Sequence, residues 1–201
     1  FDNQKKSHQH LYTQEFTLQS SQKQRIEWTI GAFGFYKDLT NKYIANFGTD
    51  RFYLLPMKLD HAKYYNNTTT WGIAGYGQVA IRDIWPGMTF TAGLRYDYEK
   101  TELDYRDSLL FSGSEQYSSY HQSNKKRDFD AWLPKFSLLQ QWNSQLSLYL
   151  SISKGYKAGG YNIISNDMSS QLVQLQYNAE KLWNYEIGMK YFSQNHKFNL
   201  N

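Results

Sequence analysis

The chain has no cysteine, which excludes a disulfide framework and thiolate metal sites and leaves its compartment open. It has only 3 prolines in 201 residues, and no low-complexity tract or domain linker interrupts it. Long hydrophobic runs are missing as well. The longest wholly apolar stretches are a few residues, such as Phe52-Tyr53-Leu54-Leu55, whereas each helix of a membrane bundle needs roughly 20. Neither sign of charge dominates. There are 22 Lys+Arg against 18 Asp+Glu, a net +4, and the charges are scattered. The one tight basic run, Lys125-Lys126-Arg127, falls in a polar stretch read as a loop, so no nucleic-acid partner is expected. The sequence begins at Phe1 with no Met and no signal peptide, and it ends at Asn201 in what reads as the start of a strand. Both ends read as cuts.

Aromatic residues are abundant, with 18 Tyr, 12 Phe and 6 Trp making 18% of the chain. Disordered chains are poor in aromatics. A polar average with this aromatic load suits strands that alternate apolar and polar residues. Eight segments do so to different degrees. In Met88–Glu99 one face is Met88, Phe90, Ala92, Leu94, Tyr96 and Tyr98, and the other is Thr89, Thr91, Gly93, Arg95, Asp97 and Glu99. Trp71–Arg82, Leu146–Ser153 and Leu182–Tyr191 repeat the pattern. Leu11–Gln19, Ile26–Lys37, Trp132–Gln141 and Lys197–Asn201 are weaker members, and Pro134 argues against regular pairing in the third of these.

The connections alternate in length. Short turns are expected at Ser20–Arg25, Asp83–Gly87, Trp142–Gln145 and Ser193–His196, with long polar loops at Asp38–Thr69, Lys100–Asp130 and Ala158–Glu180. Short turns at one end and long loops at the other describe an outer-membrane β-barrel. About ten residues at roughly 3.3 Å each, tilted near 45°, rise about 23 Å, close to the apolar band of such barrels. Trp28, Trp85, Trp142 and Tyr191 lie near the short turns; Trp71, Tyr96, Tyr98, Trp132, Tyr156 and Trp183 lie near the long loops. Two aromatic belts around an aliphatic centre are the expected interfacial arrangement. The competing reading is a soluble sandwich with an aromatic core.

Catalytic signals are weak. His8 and His10 share one strand face but have no third ligand, so no metal site is assigned. Asp60-His61 with Ser7 or Ser118 lacks nucleophile-elbow spacing. The GYKAGG segment at 155–160 lacks the Lys-Ser/Thr of a phosphate loop. No catalytic residue and no cofactor is assigned. The glycines Gly155, Gly159 and Gly160 read as a bend or bulge where a strand ends, needing positive φ or no Cβ. Gly72, Gly75 and Gly77 read as room for neighbouring rings.

Five segments in order carry a family resemblance: TQEFTLQS at 13–20, W-x-x-G-x-F at 28–33, YGQVAIRDIWPGMTFTAGLRYDYEK at 76–100, LYLSISKGYKAGGYN at 148–162, and EKLWNYEIGMK at 180–190. Together they resemble the barrel of TonB-dependent outer-membrane receptors, in particular iron-complex receptors of the pesticin/yersiniabactin receptor kind. The resemblance implies an all-β transmembrane antiparallel barrel of about 22 strands around a plug. About eight of those strands would lie in residues 1–201, with the plug domain absent from this chain. It further implies a Gram-negative outer membrane, lipid around the wall, an iron chelate or other small ligand, and the TonB complex as partner through the missing plug. Import of a ferric siderophore or similar iron complex by energised gating is the function implied. A complete eight-stranded barrel with a passive or structural role, and an outer-membrane enzyme, are the alternatives.

The inward parity carries Arg82, Arg95, Asp97, Glu99, Lys157 and Glu186, which is compatible with a wet or plug-filled interior. Salt bridges and plug contacts account for these charges. The sharper expectation is that Arg95 and Lys157 draw an anionic ferric chelate inward. Tyr64, Tyr65, Tyr117, Tyr120 and Tyr161, placed on loops, would stack on a catecholate, phenolate or sugar ring or pack the loops together.

Overall fold

A computed structural model describes residues 2–21, 24–47, 59–111, 119–161, 176–192 and 197–200. Ten strands follow one another: β1 (Asp2–Gln19), β2 (Ile26–Asn46), β3 (Leu59–Arg82), β4 (Met88–Phe111), β5 (Ser119–Gln141), β6 (Leu146–Lys157), β7 (Gly160–Tyr161), β8 (Gln176–Tyr177), β9 (Glu180–Phe192) and β10 (Lys197–Leu200). Eight form a single antiparallel sheet in the order β1-β2-β3-β4-β5-β6-β9-β10, and β7 pairs with β8 apart from it. The sheet is a half-barrel with two free edges. Among the described residues, then, the eight strands do not close on themselves as the small-barrel alternative requires.

The turns are set by local chemistry. Gly87, at φ +74, closes the β3–β4 turn, and its Cα faces the Gln141 carbonyl so closely that a Cβ would collide with it. Asn143 Oδ1 accepts from the backbone N–H groups of Gln145 and Leu146 at 2.8 Å each and shapes the β5–β6 turn.

The two polar stretches expected as long loops, Asp38–Thr69 and Lys100–Asp130, are mostly strand. β2 and β3 pair in unbroken register from Ile26↔Ile81 to Asn46↔His61, and β4 pairs with β5 from Met88↔Gln140 to Leu109↔Ser119. The hairpins rise to roughly twice the height of the apolar band, and their outer halves mix polar and apolar residues on both faces. Alternation vanishes there because neither face meets an apolar phase, although the ladder persists. The Lys125-Lys126-Arg127 run is accordingly on β5, split between two faces.

The two faces differ sharply. Tyr12, Phe16, Leu18, Trp28, Ile30, Tyr36, Trp71, Ile73, Leu94, Trp132, Leu150, Trp183 and Ile187 share the outer face and are exposed. The buried strand residues Ala45, Ala62, Asn66, Thr70, Ala74, Thr101, Leu103, Phe129 and Ala131 all share the inner face. Thr70 and Thr101, registered opposite one another, hydrogen bond at 3.2 Å.

Pro134 shapes the wall. The β5–β6 ladder ends at Lys135↔Ser153, the residue beside it, while β4 continues to pair with β5 beyond this level and β6 continues with β9 to Lys157↔Glu180. Proline has no N–H to donate. The sequence signal was therefore correct in kind, and it acts on one edge of β5 only. Above this point the wall splits, and Tyr156 enters the split from β6. It lines an inner cavity rather than joining the exposed aromatic belt expected for it.

Candidate functional site

Near the short turns the inner face carries one charge pair, Arg82 with Glu27 at 3.0 Å; midway along β9, Glu186 accepts from Ser151 and Asn184. Halfway up, Tyr76 ties four strands together. Its hydroxyl donates to Glu15 at 2.7 Å and lies 2.8 Å from Thr17 Oγ1, both on β1, so its ring must cross β2. It crosses at Gly31, its registered partner, where a Cβ would collide with the ring. Arg95, registered beside Tyr76 on β4, lies over the rings of Tyr76 and Phe33 at 5.8 and 5.7 Å.

Arg95 is not an isolated cation. Nε and Nη2 donate to the Asp97 carboxylate at 2.7–3.0 Å, so the pair presents a dipole rather than a bare positive charge. Phe33, Phe35, Arg95, Asp97, Glu99 and Tyr156 line a cavity of about 260 Å³ at this level. The Tyr156 hydroxyl is buried and has no hydrogen-bond partner among the described residues. Lys157 stands near the split opposite Glu180, 3.6 Å from its carboxylate, and both side chains are exposed.

Near the top, the inner face carries phenols. Tyr43 and Tyr64 pack with ring centroids 5.9 Å apart. Burial, then Asp107 and then Tyr43 raise the Tyr64 phenol above its usual range. Burial, Asp107 and Tyr64 do the same to Tyr105. Both are therefore neutral donors at physiological pH. Tyr161, on β7, is 8% exposed, and its hydroxyl is buried with no partner among the described residues. Burial raises its phenol, opposed by Arg127 and assisted by Glu102.

The β7–β8 pair is held by Arg127, whose Nη1 donates to the Tyr177 carbonyl at 3.1 Å and Nη2 to Asn178 Oδ1 at 3.1 Å. Gly159 packs against Phe129 and the Tyr177 carbonyl, leaving no room for a Cβ. None of Gly155, Gly159 and Gly160 has positive φ; close approach is what Gly159 supplies. Arg127→Ala removes the two charge-assisted bonds, worth about 1–2 kcal/mol here. Amide exchange at Gly160, Tyr161, Gln176 and Tyr177 should rise roughly tenfold with β6 and β9 unchanged. Unaltered protection would mean that Arg127 does not hold the pair.

Of the sequence-predicted residues, Arg95, Tyr64 and Tyr161 face or cover the inner surface. Tyr65 lies on the outer parity of β3, with Lys42 and Arg106 over its ring. Tyr120 lies within β5 by backbone, registered with Ser108, and Tyr117 falls outside the described residues. Glu15, Tyr43, Tyr76, Tyr105 and Arg127 were not singled out by sequence. Extending the strand parity past Lys37 and Glu99 would have placed Tyr43, Tyr105 and Arg127 inward. Among the described residues no group of three or more His, Asp or Glu side chains converges as a metal site. The surface offers neutral phenols, aromatic rings and paired charges, which suit non-covalent recognition.

Comparison with known proteins gives a consistent assignment. The family described as TonB dependent receptor-like, β-barrel, matches residues 1–201. The pesticin receptor of Yersinia enterocolitica is 28% identical over 99 residues, 49% of this chain and 13% of the relative. That of Yersinia pestis is 27% identical over the same shares. Among solved structures, the ferric yersiniabactin uptake receptor FyuA from Yersinia pestis aligns with a TM-score of 0.76 at 19% identity, covering 96% of this chain and 27% of that one. The closed form of the ferric-catecholate import receptor Fiu from K12 E. coli aligns with a TM-score of 0.62 at 15% identity, covering 95% and 30%. The chain thus spans 13% of the length of the curated relatives it matches. With a family match over its whole length and a half-barrel of the same fold, the chain belongs to the TonB-dependent receptor-like β-barrel family.

Proposed function

We propose that residues 1–201 are part of the barrel wall of a TonB-dependent receptor in a Gram-negative outer membrane. The receptor imports a ferric siderophore or similar iron complex. The plug and the segment that engages TonB are supplied from outside these residues, and the cycle is gated binding and release without covalent chemistry. The observation that carries this reading is the two-sided wall, with an exposed aromatic and aliphatic belt outside and a polar, phenol-bearing surface inside. Such a surface is stable in lipid only if its inner side is wet or filled. The ligand class rests on the named relatives, which are pesticin, yersiniabactin and ferric-catecholate receptors.

Tyr64, Tyr105 and Tyr161 are the proposed first contacts. Neutral phenols stack on and donate to a phenolate or catecholate chelate without repelling its negative charge. The Arg95–Asp97 pair and Lys157 border its path downward.

The test uses the full-length receptor in its own outer membrane. Deletion should abolish growth on a ferric phenolate or catecholate siderophore as sole iron source, and dissipating the proton gradient should stop labelled-iron uptake. Tyr64→Ala with Tyr105→Ala should weaken chelate binding about threefold to tenfold per ring. Uptake that survives loss of the gradient would replace this reading with a passive barrel.

A further inference from the structure

The split above Pro134 joins the two faces of the wall. Were the β5–β6 ladder continued past Lys135↔Ser153, Pro134 would face Lys154 and Trp132 would face Tyr156. Trp132, Lys154 and Tyr156 all turn elsewhere. Trp132 packs on Tyr96 of β4 with ring centroids 4.7 Å apart, and Lys154 lies over Trp183 of β9 at 5.8 Å. Tyr156 has the outer parity, registered with Lys181, yet it lines the inner cavity beside Arg95, Asp97 and Glu99. Its hydroxyl is buried there with no partner among the described residues. One pair below the end of the ladder, the outer face holds an apolar groove of about 430 Å³ along the same seam, lined by Phe136, Ile152, Leu138, Leu150, Phe90 and Ile187.

The groove lies at lipid height. Pro134 is two residues below Trp132 of the loop-side belt, about 5 Å along the membrane normal at a 45° tilt, so the split opens in the outer leaflet. A hydrocarbon chain gains nothing by leaving lipid for such a groove, because lipid tails are as apolar as its lining. What the split supplies is passage. Behind an unbroken wall, a ligand with its head on the inner face must withdraw an acyl tail from lipid, at a cost of roughly fourfold in affinity per methylene. Through the split the tail stays where it is. The Tyr156 hydroxyl stands at the threshold as a donor for the carbonyl that joins tail to head, and a buried hydroxyl without an acceptor is costly. A membrane phospholipid keeps its headgroup at the interface and makes no use of the inner cavity. A chelate without a tail makes no use of the groove.

We propose that the β5–β6 split is a side entrance for an acylated iron chelate, whose fatty tail lies in the outer groove, whose acyl carbonyl accepts from Tyr156, and whose head reaches the inner face from the bilayer. This rests on the receptor function proposed above and extends its substrates to amphiphilic chelates.

The test uses the full-length receptor in lipid nanodiscs and two ferric catecholate chelates with one head, N-acylated by lauroyl in the first and by acetyl in the second. Binding of each chelate to a variant is divided by its binding to the wild type at the same lipid content, so that partition of the tail into the bilayer cancels. Pro134→Val returns an N–H to β5 and lets the ladder continue. It should weaken the lauroyl chelate by about tenfold or more, and the acetyl chelate by much less. Tyr156→Phe keeps the ring and removes the donor, and should weaken the lauroyl chelate about fivefold more than the acetyl chelate, which has no tail to hold its carbonyl at the threshold. If Pro134→Val fails to insert, Tyr156→Phe is read by itself. Uptake of labelled iron from the two chelates should follow the same order. Variants that treat the two chelates alike, while the wild type binds the acetyl chelate and imports its iron, overturn the side entrance alone. A wild type that binds neither chelate overturns the receptor reading and the entrance with it.

Discussion

Leu150→Arg should destabilise the full receptor in bilayers by about 2–4 kcal/mol, while Ser151→Arg, one residue along, should cost much less. Leu150 is exposed on the outer face of β6, in register with Leu138 and Ile187. It stands midway along β6, so an arginine there meets hydrocarbon at its deepest and can reach neither interface by extending. Ser151 points inward and is registered opposite Glu186, its hydrogen-bond acceptor at 3.3 Å. An arginine at 151 finds that carboxylate in a polar space. Unfolding titrations of both variants in lipid vesicles check this, and equal losses would refute the assignment of faces.

Gly31→Val should cost about 2–4 kcal/mol, although valine is ordinarily the better strand residue. The reason is the path of Tyr76 across β2. A side chain at 31 occupies the space of that ring, lifting its hydroxyl from Glu15 and Thr17 and removing the face on which Arg95 rests. The loss should depend on the tyrosine. In a Tyr76→Ala background the same Gly31→Val change should be neutral or stabilising, since the cavity is open and the glycine's backbone entropy is then a liability. Additive losses in this double-mutant cycle would mean that the glycine serves the backbone rather than the ring. Tyr149 over Gly188 repeats the arrangement between β6 and β9.

The membrane-height part of the fold was legible because physics writes it at period two. In Met88–Glu99 every second residue must suit an apolar surroundings and every other a polar one, and the observed parity matches residue for residue. Above Tyr36, Trp71 and Lys100 that constraint lapses. Strands there are held by backbone pairing between two mixed faces, so Asp38–Thr69 and Lys100–Asp130 read as loops although they are mostly ladder. The same blindness hid Tyr43 and Tyr105, which parity alone would have turned inward, and it put Tyr64 and Tyr65 together although adjacent strand residues face opposite ways. Pairings such as Arg95 with Asp97 are intrastrand and two residues apart, and so were within reach of the sequence. Tyr76 with Glu15 depends on the register of three strands and was not.

The termination of one ladder beside Pro134 has a mechanical meaning. β5 and β6 are stitched by seven registered pairs, from Lys135↔Ser153 to Gln141↔Ser147, whereas β2 and β3 share twenty-one. Bending stiffness across a seam scales with the number of stitches that resist it. Between β1 and β9, a load carried around this wall therefore concentrates its strain at the β5–β6 seam, leaving β1–β5 to move as one panel and β6–β9 as another. The Arg127 clasp on Tyr177 and Asn178 and the Phe129 ring against Gly159 then tie the two panels together across that seam.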